Sequence, residues 1–288
     1  MILHLLDATF ELFRAYFAMP AETAPDGREV GAIRGLIGST LALLRQPEVT
    51  HLGAATDHVI ESFRNRLFAG YKTGEGIEPD LWAQFPLAEE ALRTLGVVVW
   101  PMVEFEADDA LATAAHRFRD RVDQVVILSP DKDLTQCVVA SRVVTHDRIR
   151  RKTYDEAAVR EKFGVAPASI PDLLALVGDS ADGIPGIRGW GLKSAAAVLS
   201  VYHSIENIPP DSRSWTLKLR QASGLAASLD AQRQDAMLFK TLATLRTDAP
   251  VRESLDDLKW RGVPRTAYLA LCERLGFRDL ADRPSQWA

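Results

Sequence analysis

"QVVILSPD", residues Gln124 to Asp131, carries the reading of the fold. Val125, Val126, Ile127 and Leu128 give it a β-branched apolar run, and Gln124–Asp131 reads as a strand. The run is continuous rather than alternating, which marks a strand buried on both faces. Three further stretches read the same way: "ILHLLD" (Ile2–Asp7), the less β-branched "THLGAATD" (Thr50–Asp57) and "GVVVWP" (Gly96–Pro101). Helical stretches over Val30–Leu44, Pro86–Leu95 and Ala107–Phe118 lie among them. The alternation predicts an α/β fold, a central mostly parallel sheet flanked by helices.

The strands end in acid. Asp7, Asp57 and Asp131 close the first, second and fourth; after the third, "EFEADDA" sets Glu106, Asp108 and Asp109 at a helix start. Asp133 follows Asp131 in the same loop. The carboxyl ends of parallel strands share one edge, where ligands bind. Each acid alone also fits a turn or a helix N-cap. Together, so many carboxylates raise one another's pKa unless cations compensate. With no His or Cys in the set, the ion expected is hard, Mg²⁺ or Mn²⁺ rather than zinc. The six histidines show no metal spacing.

"LVGDSADGIPGIRGWGLKSAA" (Leu176–Ala196) places Asp179 and Asp182 before a turn rich in glycine, with Lys193 and Ser194 opening the next helix. Backbone N–H groups of such a turn approach a phosphate closely, and the helix N-terminus adds a favourable dipole. It is not a P-loop, because Leu192 separates Gly191 from Lys193 and no strand directly precedes it.

The chain has 288 residues, 47% of them hydrophobic, enough for one large domain or two modest ones. The opening "MILHLLDATF" is neither a signal peptide nor a membrane span. Cys137 and Cys272 show no metal spacing and read as reduced, buried thiols of a cytoplasmic protein.

The successive segments "LLDATFELFRAYFAMP", "ATDHVIESFRNRLFAGYK", "EFEADDALATAA", "SPDKDLTQ" and the Leu176–Ala196 stretch resemble the motifs of the 5′ nuclease (flap endonuclease) superfamily. The likeness is greatest to the N-terminal 5′–3′ exonuclease domain of bacterial DNA polymerase I. "LFKTLATLRTD" (Leu238–Asp248) resembles the segment where that domain's chain returns to its sheet. The chain ends near Ala288 with no polymerase region, as a free-standing nuclease or an excised domain would.

The resemblance implies a PIN-like nuclease domain over residues 1–165, a helix–three-turn–helix DNA-binding subdomain of helix-hairpin-helix type over 166–246, and a returning segment over 247–288. It implies metal ligands at Asp7, Asp57, Glu106 and Asp108 around one ion, and at Asp109, Asp131, Asp133 and Asp179 around a second, with Asp182 acting partly through water. Which carboxylate touches which ion stays open. Lys72 falls on a position that stabilises charge at the reacting phosphate, and Arg64 on one that meets a neighbouring phosphate. Arg14, Tyr71, Gly186, Gly189, Gly191, Lys193 and Ser194 fall on DNA-facing positions, although a packed Tyr71 is an alternative. A potassium ion at the hairpin is implied as well.

Formal net charge is −5; removing the nine site acids leaves +4 on the rest, so the acidic balance does not exclude DNA. One departure stands out: where relatives read Tyr-Lys-x-x-Arg, this chain has Glu75. The following "GEGIEPDLWAQFP" (Gly74–Pro86) is expected to be a mobile gateway, and "THDRIRRKTYDE" (Thr145–Glu156), with Arg148, Arg150, Arg151 and Lys152, reads equally as a DNA-facing patch or a solvated hairpin.

The expected function is structure-specific 5′ nuclease action by a monomer on DNA, serving replication or repair. The alternative is a DNA-structure-binding protein with a weakened nuclease site. An aspartyl-phosphate phosphatase, suggested by "LLDATF", lacks its second carboxylate because Thr9 occupies that place.

Overall fold

The computed structural model describes residues 1–288. In chain order its first half holds β1 (Ile2–Asp7), α1 (Ala8–Ala18), α2 (Gly31–Leu44), β2 (His51–Asp57), α3 (Phe63–Leu67), α4 (Pro79–Trp82), α5 (Phe85–Thr94), β3 (Val98–Met102), α6 (Ala107–Phe118) and β4 (Gln124–Leu128). The second half holds β5 (Val143–Asp147), β6 (Lys152–Tyr154), α7 (Glu156–Phe163), α8 (Ile170–Val177), α9 (Leu192–Tyr202), α10 (Ala222–Ala231), α11 (Arg233–Ala243) and α12 (Arg265–Leu275). Two compact units result. The first is made of 1–60, 74–129 and 246–288, the second of 61–73 and 130–245.

In the first unit β1 pairs in parallel with β2 and with β4, and β2 pairs in parallel with β3. Leu3, Leu5 and Leu6 of β1 are fully buried, as a central strand covered on both faces requires. The apolar side of α2 (Ile33, Leu36, Ile37 and Leu41) packs into the same core as Leu271 and Leu275 of α12. Strand ends differ from the sequence reading by one residue at the start of β2 and at the end of β3, and by more at the start of β3 and the end of β4. β3 starts at Val98 because Gly96, at φ +78°, turns the chain out of α5. β4 stops at Leu128, before Pro130.

The second unit is mostly helical. Leu173 and Leu176 of α8, Val198 and Leu199 of α9, Leu229 of α10 and Leu242 of α11 share its core. β5 and β6 pair antiparallel and hold the expected hairpin, with Asp147 fastening the turn through the N–H groups of Ile149 and Arg150.

The Gly74–Pro86 segment, expected as a mobile gateway, carries folded structure. It contains α4, and Leu81 and Phe85 are buried because they face the apolar core of α2 and α5. Gln84 is buried too and accepts from the Ile33 N–H at 3.2 Å. Cys272 is buried as expected, whereas Cys137 is only half-buried. No helix is long and apolar enough to cross a membrane.

Candidate functional site

Five of the nine acids lie in the first unit. Asp7 ends β1 and Asp57 ends the neighbouring β2, so parallel pairing brings both to the carboxyl edge of the sheet. Asp7 caps a helix, one of the readings weighed for it. One oxygen caps α1 by accepting from the Phe10 N–H at 2.9 Å, and the other accepts from the Ser129 hydroxyl at 2.8 Å. Asp57 accepts from the Ala107 N–H at 2.7 Å, which ties β2 to the start of α6. There Glu106 is the N-cap and Asp108 and Asp109 sit in the first turn, where the helix dipole favours negative charge.

Asp109 is set apart from the others. It is fully buried, and its two oxygens accept from the Glu106 N–H at 3.0 Å and the Arg246 N–H at 2.8 Å. It pins the returning chain to α6, a structural duty beside the metal role expected of it.

The second unit holds Asp131, Asp133, Asp179 and Asp182. Asp131 accepts from the Asp133 N–H at 2.9 Å and so shapes the loop after β4. The Asp179 and Ile184 backbones exchange two hydrogen bonds of 2.8 Å, closing a tight turn that swings Asp182 back toward Asp179. Gly183 makes this possible at φ +72°, and a Cβ there would run into the Gly70 carbonyl oxygen. The outcome is a cluster in which ligand oxygens of Asp133, Asp179 and Asp182 lie within 4.8 Å of one another.

Two lysines meet this cluster. The Lys132 ammonium donates to Asp179 Oδ2 and lies 3.4 Å from Asp133 Oδ1. Lys72 Nζ lies 3.2 Å from Asp182 Oδ1. Asp133 Oδ1 is buried and receives no hydrogen bond; its approach from Lys132 is an ion pair without an aligned hydrogen. Burial, then the adjacent Asp131 carboxylate, pushes the Asp133 carboxyl well above the usual range, with Lys132 pulling the other way. For Lys132 burial disfavours the charge, but Asp133, Asp179 and Asp131 together outweigh it and raise the ammonium's pKa. Crowded oxygen-only ligands, one with an unsatisfied buried oxygen, fit a hard divalent cation. Lys132 escaped the sequence reading although it stands between two of the acids in "SPDKDLTQ".

Not every expected helper is open to a ligand. Arg64 is 1% exposed and donates to the carbonyls of Leu242 at 2.7 Å and Thr244 at 3.0 Å, near the end of α11. It serves the fold there, as arginines at helix C-termini do. Tyr71 is 4% exposed and belongs to the second unit's core, so the packed alternative describes it. Arg14 is bound to Glu11 at 2.5 Å and Ser39 at 2.9 Å within the first unit. Lys72 remains partly exposed beside Asp182.

The glycine turn joins α8 to α9. Gly186, at φ +75°, packs so closely that a Cβ would stand 2.5 Å from the Gly178 nitrogen. Gly189 and Gly191 are exposed with open space over them, which leaves their backbone accessible. Lys193 is exposed as well, whereas the Ser194 hydroxyl is engaged with Gly191, donating to its carbonyl at 2.9 Å and accepting its N–H at 3.1 Å. Beside the turn lies a cavity of about 440 Å³ whose walls include Arg188, Gly189, Ser223 and Ser228.

Residues 2–164 match the family description "5′-3′ exonuclease, N-terminal resolvase-like domain", and 165–266 match "5′-3′ exonuclease, C-terminal SAM fold". DNA polymerase I of Bacillus caldotenax is 35% identical over 285 residues, covering 97% of this chain and 32% of the polymerase. The 5′-3′ exonuclease of Aquifex aeolicus is 33% identical over 258 residues, covering 89% of this chain and 86% of its own. The chain thus spans about a third of the polymerase relatives.

Among solved structures, T5 5′-exonuclease with divalent zinc bound superposes with a TM-score of 0.71 at 18% identity, over 96% of this chain and all of that one. The catalytic core of Rad2 in complex with DNA substrate gives 0.61 at 14% identity, over 95% and 87%. These likenesses are of fold. With its family match running over most of its length, and a relative of similar size a third identical to it, the chain belongs to the 5′–3′ exonuclease family.

Proposed function

We propose that the chain is a structure-specific 5′ nuclease, a 5′–3′ exonuclease and flap endonuclease that hydrolyses DNA phosphodiesters in replication or repair and works as a cytoplasmic monomer. The observation that carries this reading is the Asp133–Asp179–Asp182 cluster, built on the same turn that leads into the exposed glycine hairpin. Asp131, Asp133, Asp179 and Asp182 would hold one Mg²⁺ or Mn²⁺, and Asp7, Asp57, Glu106 and Asp108 a second. Bound there, such ions supply a water of lowered pKa and charge stabilisation for in-line displacement at phosphorus, with 5′-phosphate products.

The chain's own groups do the rest. Lys72 brings positive charge to the reacting phosphate, its approach fixed by Asp182. The Gly189 N–H, together with Lys193, holds duplex backbone phosphates without reading bases. Carbonyls of the same turn would take a K⁺ ion. Asp109 and Arg64 keep their neighbouring segments in place through the bonds described above.

The test is cleavage of an end-labelled 5′ flap, a gapped duplex and a single strand, with and without Mg²⁺ or Mn²⁺. The wild type cuts the flap and the 5′ end only with metal, and the double variant Asp108→Ala/Asp131→Ala binds without cutting. A wild-type chain that binds flaps yet never cuts them with either ion is a DNA-structure-binding protein instead.

A further inference from the structure

We propose that Lys132 is the internal counter-cation of the Asp133–Asp179–Asp182 cluster: its ammonium neutralises the carboxylates before a divalent ion arrives, then competes with that ion for them, and so sets the cluster's metal affinity. The inference rests on the reading that this cluster is a divalent metal site.

Three carboxylates with oxygens within 4.8 Å of one another carry a charge of −3 that a folded chain does not tolerate uncompensated. Two lysines answer it. Lys72 meets Asp182 at 3.2 Å. Lys132 meets two acids, Asp179 and Asp133, and in the second case the oxygen that nothing else satisfies. An ion binding there needs the oxygens that Lys132 now engages.

Lys132 is able to leave. Its side chain is 38% exposed while Asp133 and Asp179 are buried, so a flexible four-carbon stem has a route to water that the acids lack. Its backbone stays put meanwhile, because the Lys132 carbonyl accepts from the Thr135 hydroxyl and the Thr135 N–H.

The experiment is Mn²⁺ binding to the DNA-free full chain, followed by calorimetry, for the wild type, Lys132→Met and Lys132→Arg, with melting temperatures in EDTA and in Mn²⁺. The methionine variant is expected to bind Mn²⁺ on the order of tenfold more tightly, to melt lower than the wild type in EDTA, and to gain more from Mn²⁺. The arginine variant keeps a permanent charge and binds Mn²⁺ no better than the wild type. It keeps the test decisive if the methionine variant does not fold in EDTA. Affinity unchanged or weakened in Lys132→Met, or raised in Lys132→Arg, overturns the proposal while leaving the metal site standing. If no variant and not even the wild type takes up Mn²⁺, the metal reading fails first and this inference with it.

Discussion

Lys72 is joined to Asp182 twice: its backbone N–H donates to the Asp182 carbonyl at 3.0 Å, and its Nζ lies 3.2 Å from Asp182 Oδ1. The lysine assigned to the phosphate and an acid assigned to the metal therefore move as one piece. Replacing Lys72 by Ala should lower the cleavage rate at saturating metal by about 10²–10³-fold, the usual cost of losing one donor to developing charge. Melting temperature should change little, since the pair is only partly buried. Single-turnover cleavage of a flap gives the answer, and a rate within twofold of wild type removes Lys72 from the chemistry.

Gly183 is what permits that joint. Ala at this position meets the Gly70 carbonyl and must adopt φ near +72°, so the Lys72 loop is pushed off the Asp182 turn. Gly183→Ala should cost about 1–3 kcal/mol of stability and lower cleavage together with it. Equilibrium denaturation beside a flap assay measures both, and a variant as stable and active as the wild type contradicts the packing described.

Asp133 trades stability for function. Its carboxyl is raised by burial and by Asp131, so over the interval above the ordinary carboxyl pKa the folded chain keeps a proton that the unfolded chain has lost. This group's contribution is present below the ordinary value and is lost as pH rises through the raised one. The metal-free chain should therefore lose stability from acidic toward neutral pH, and Asp133→Asn should flatten that decline. At neutral pH in EDTA the variant should gain about 1 kcal/mol, roughly 2–4 °C in melting temperature, while losing cleavage. Thermal melts across pH read this out; a variant that melts lower than the wild type at neutral pH counts against it.

Asp172 and Lys240 form a pair away from the site, between α8 and α11. Asp172 is 1% exposed and bound to Lys240 at 2.9 Å and to the Ile205 N–H at 2.8 Å. Burial raises the Asp172 carboxyl in spite of both partners. Lys240→Met strands that charge and should cost about 2–3 kcal/mol, while Lys240→Met/Asp172→Asn should recover most of it. Chemical denaturation of the two variants is sufficient; equal stability would show that the pair is not coupled.

Duplex affinity should fall steeply with salt, and Lys193→Ala should lower the slope of log affinity against log salt by about one. Glycine hairpin and lysine would be uncoupled from DNA if the slope stayed at the wild-type value.

The sheet was legible because β1 and β4 are nearly pure apolar runs with an abrupt polar or proline end, and those ends also placed Asp7 and Asp131. The Asp179–Asp182 turn was legible from its glycines, which positive φ and, at Gly183 and Gly186, close packing both demand. The exposure of single side chains was not. Arg64 and Tyr71 sit in a segment with mixed polarity, and only tertiary packing against α11 and the second core buries them. Nor did spacing show that Asp109 would also be held by two backbone N–H groups, one of them 137 residues away. Lys132 was hidden for the opposite reason, since a lysine between aspartates reads as ordinary surface charge until the fold turns it inward.

Anomalous scattering from crystals soaked in Mn²⁺ tests the central claim most directly. A peak should appear within about 2–2.5 Å of oxygens of Asp133 and Asp179, with a second against Asp7, Asp57, Glu106 and Asp108. Well-ordered crystals at saturating Mn²⁺ that show no density at Asp133–Asp179–Asp182 would contradict it.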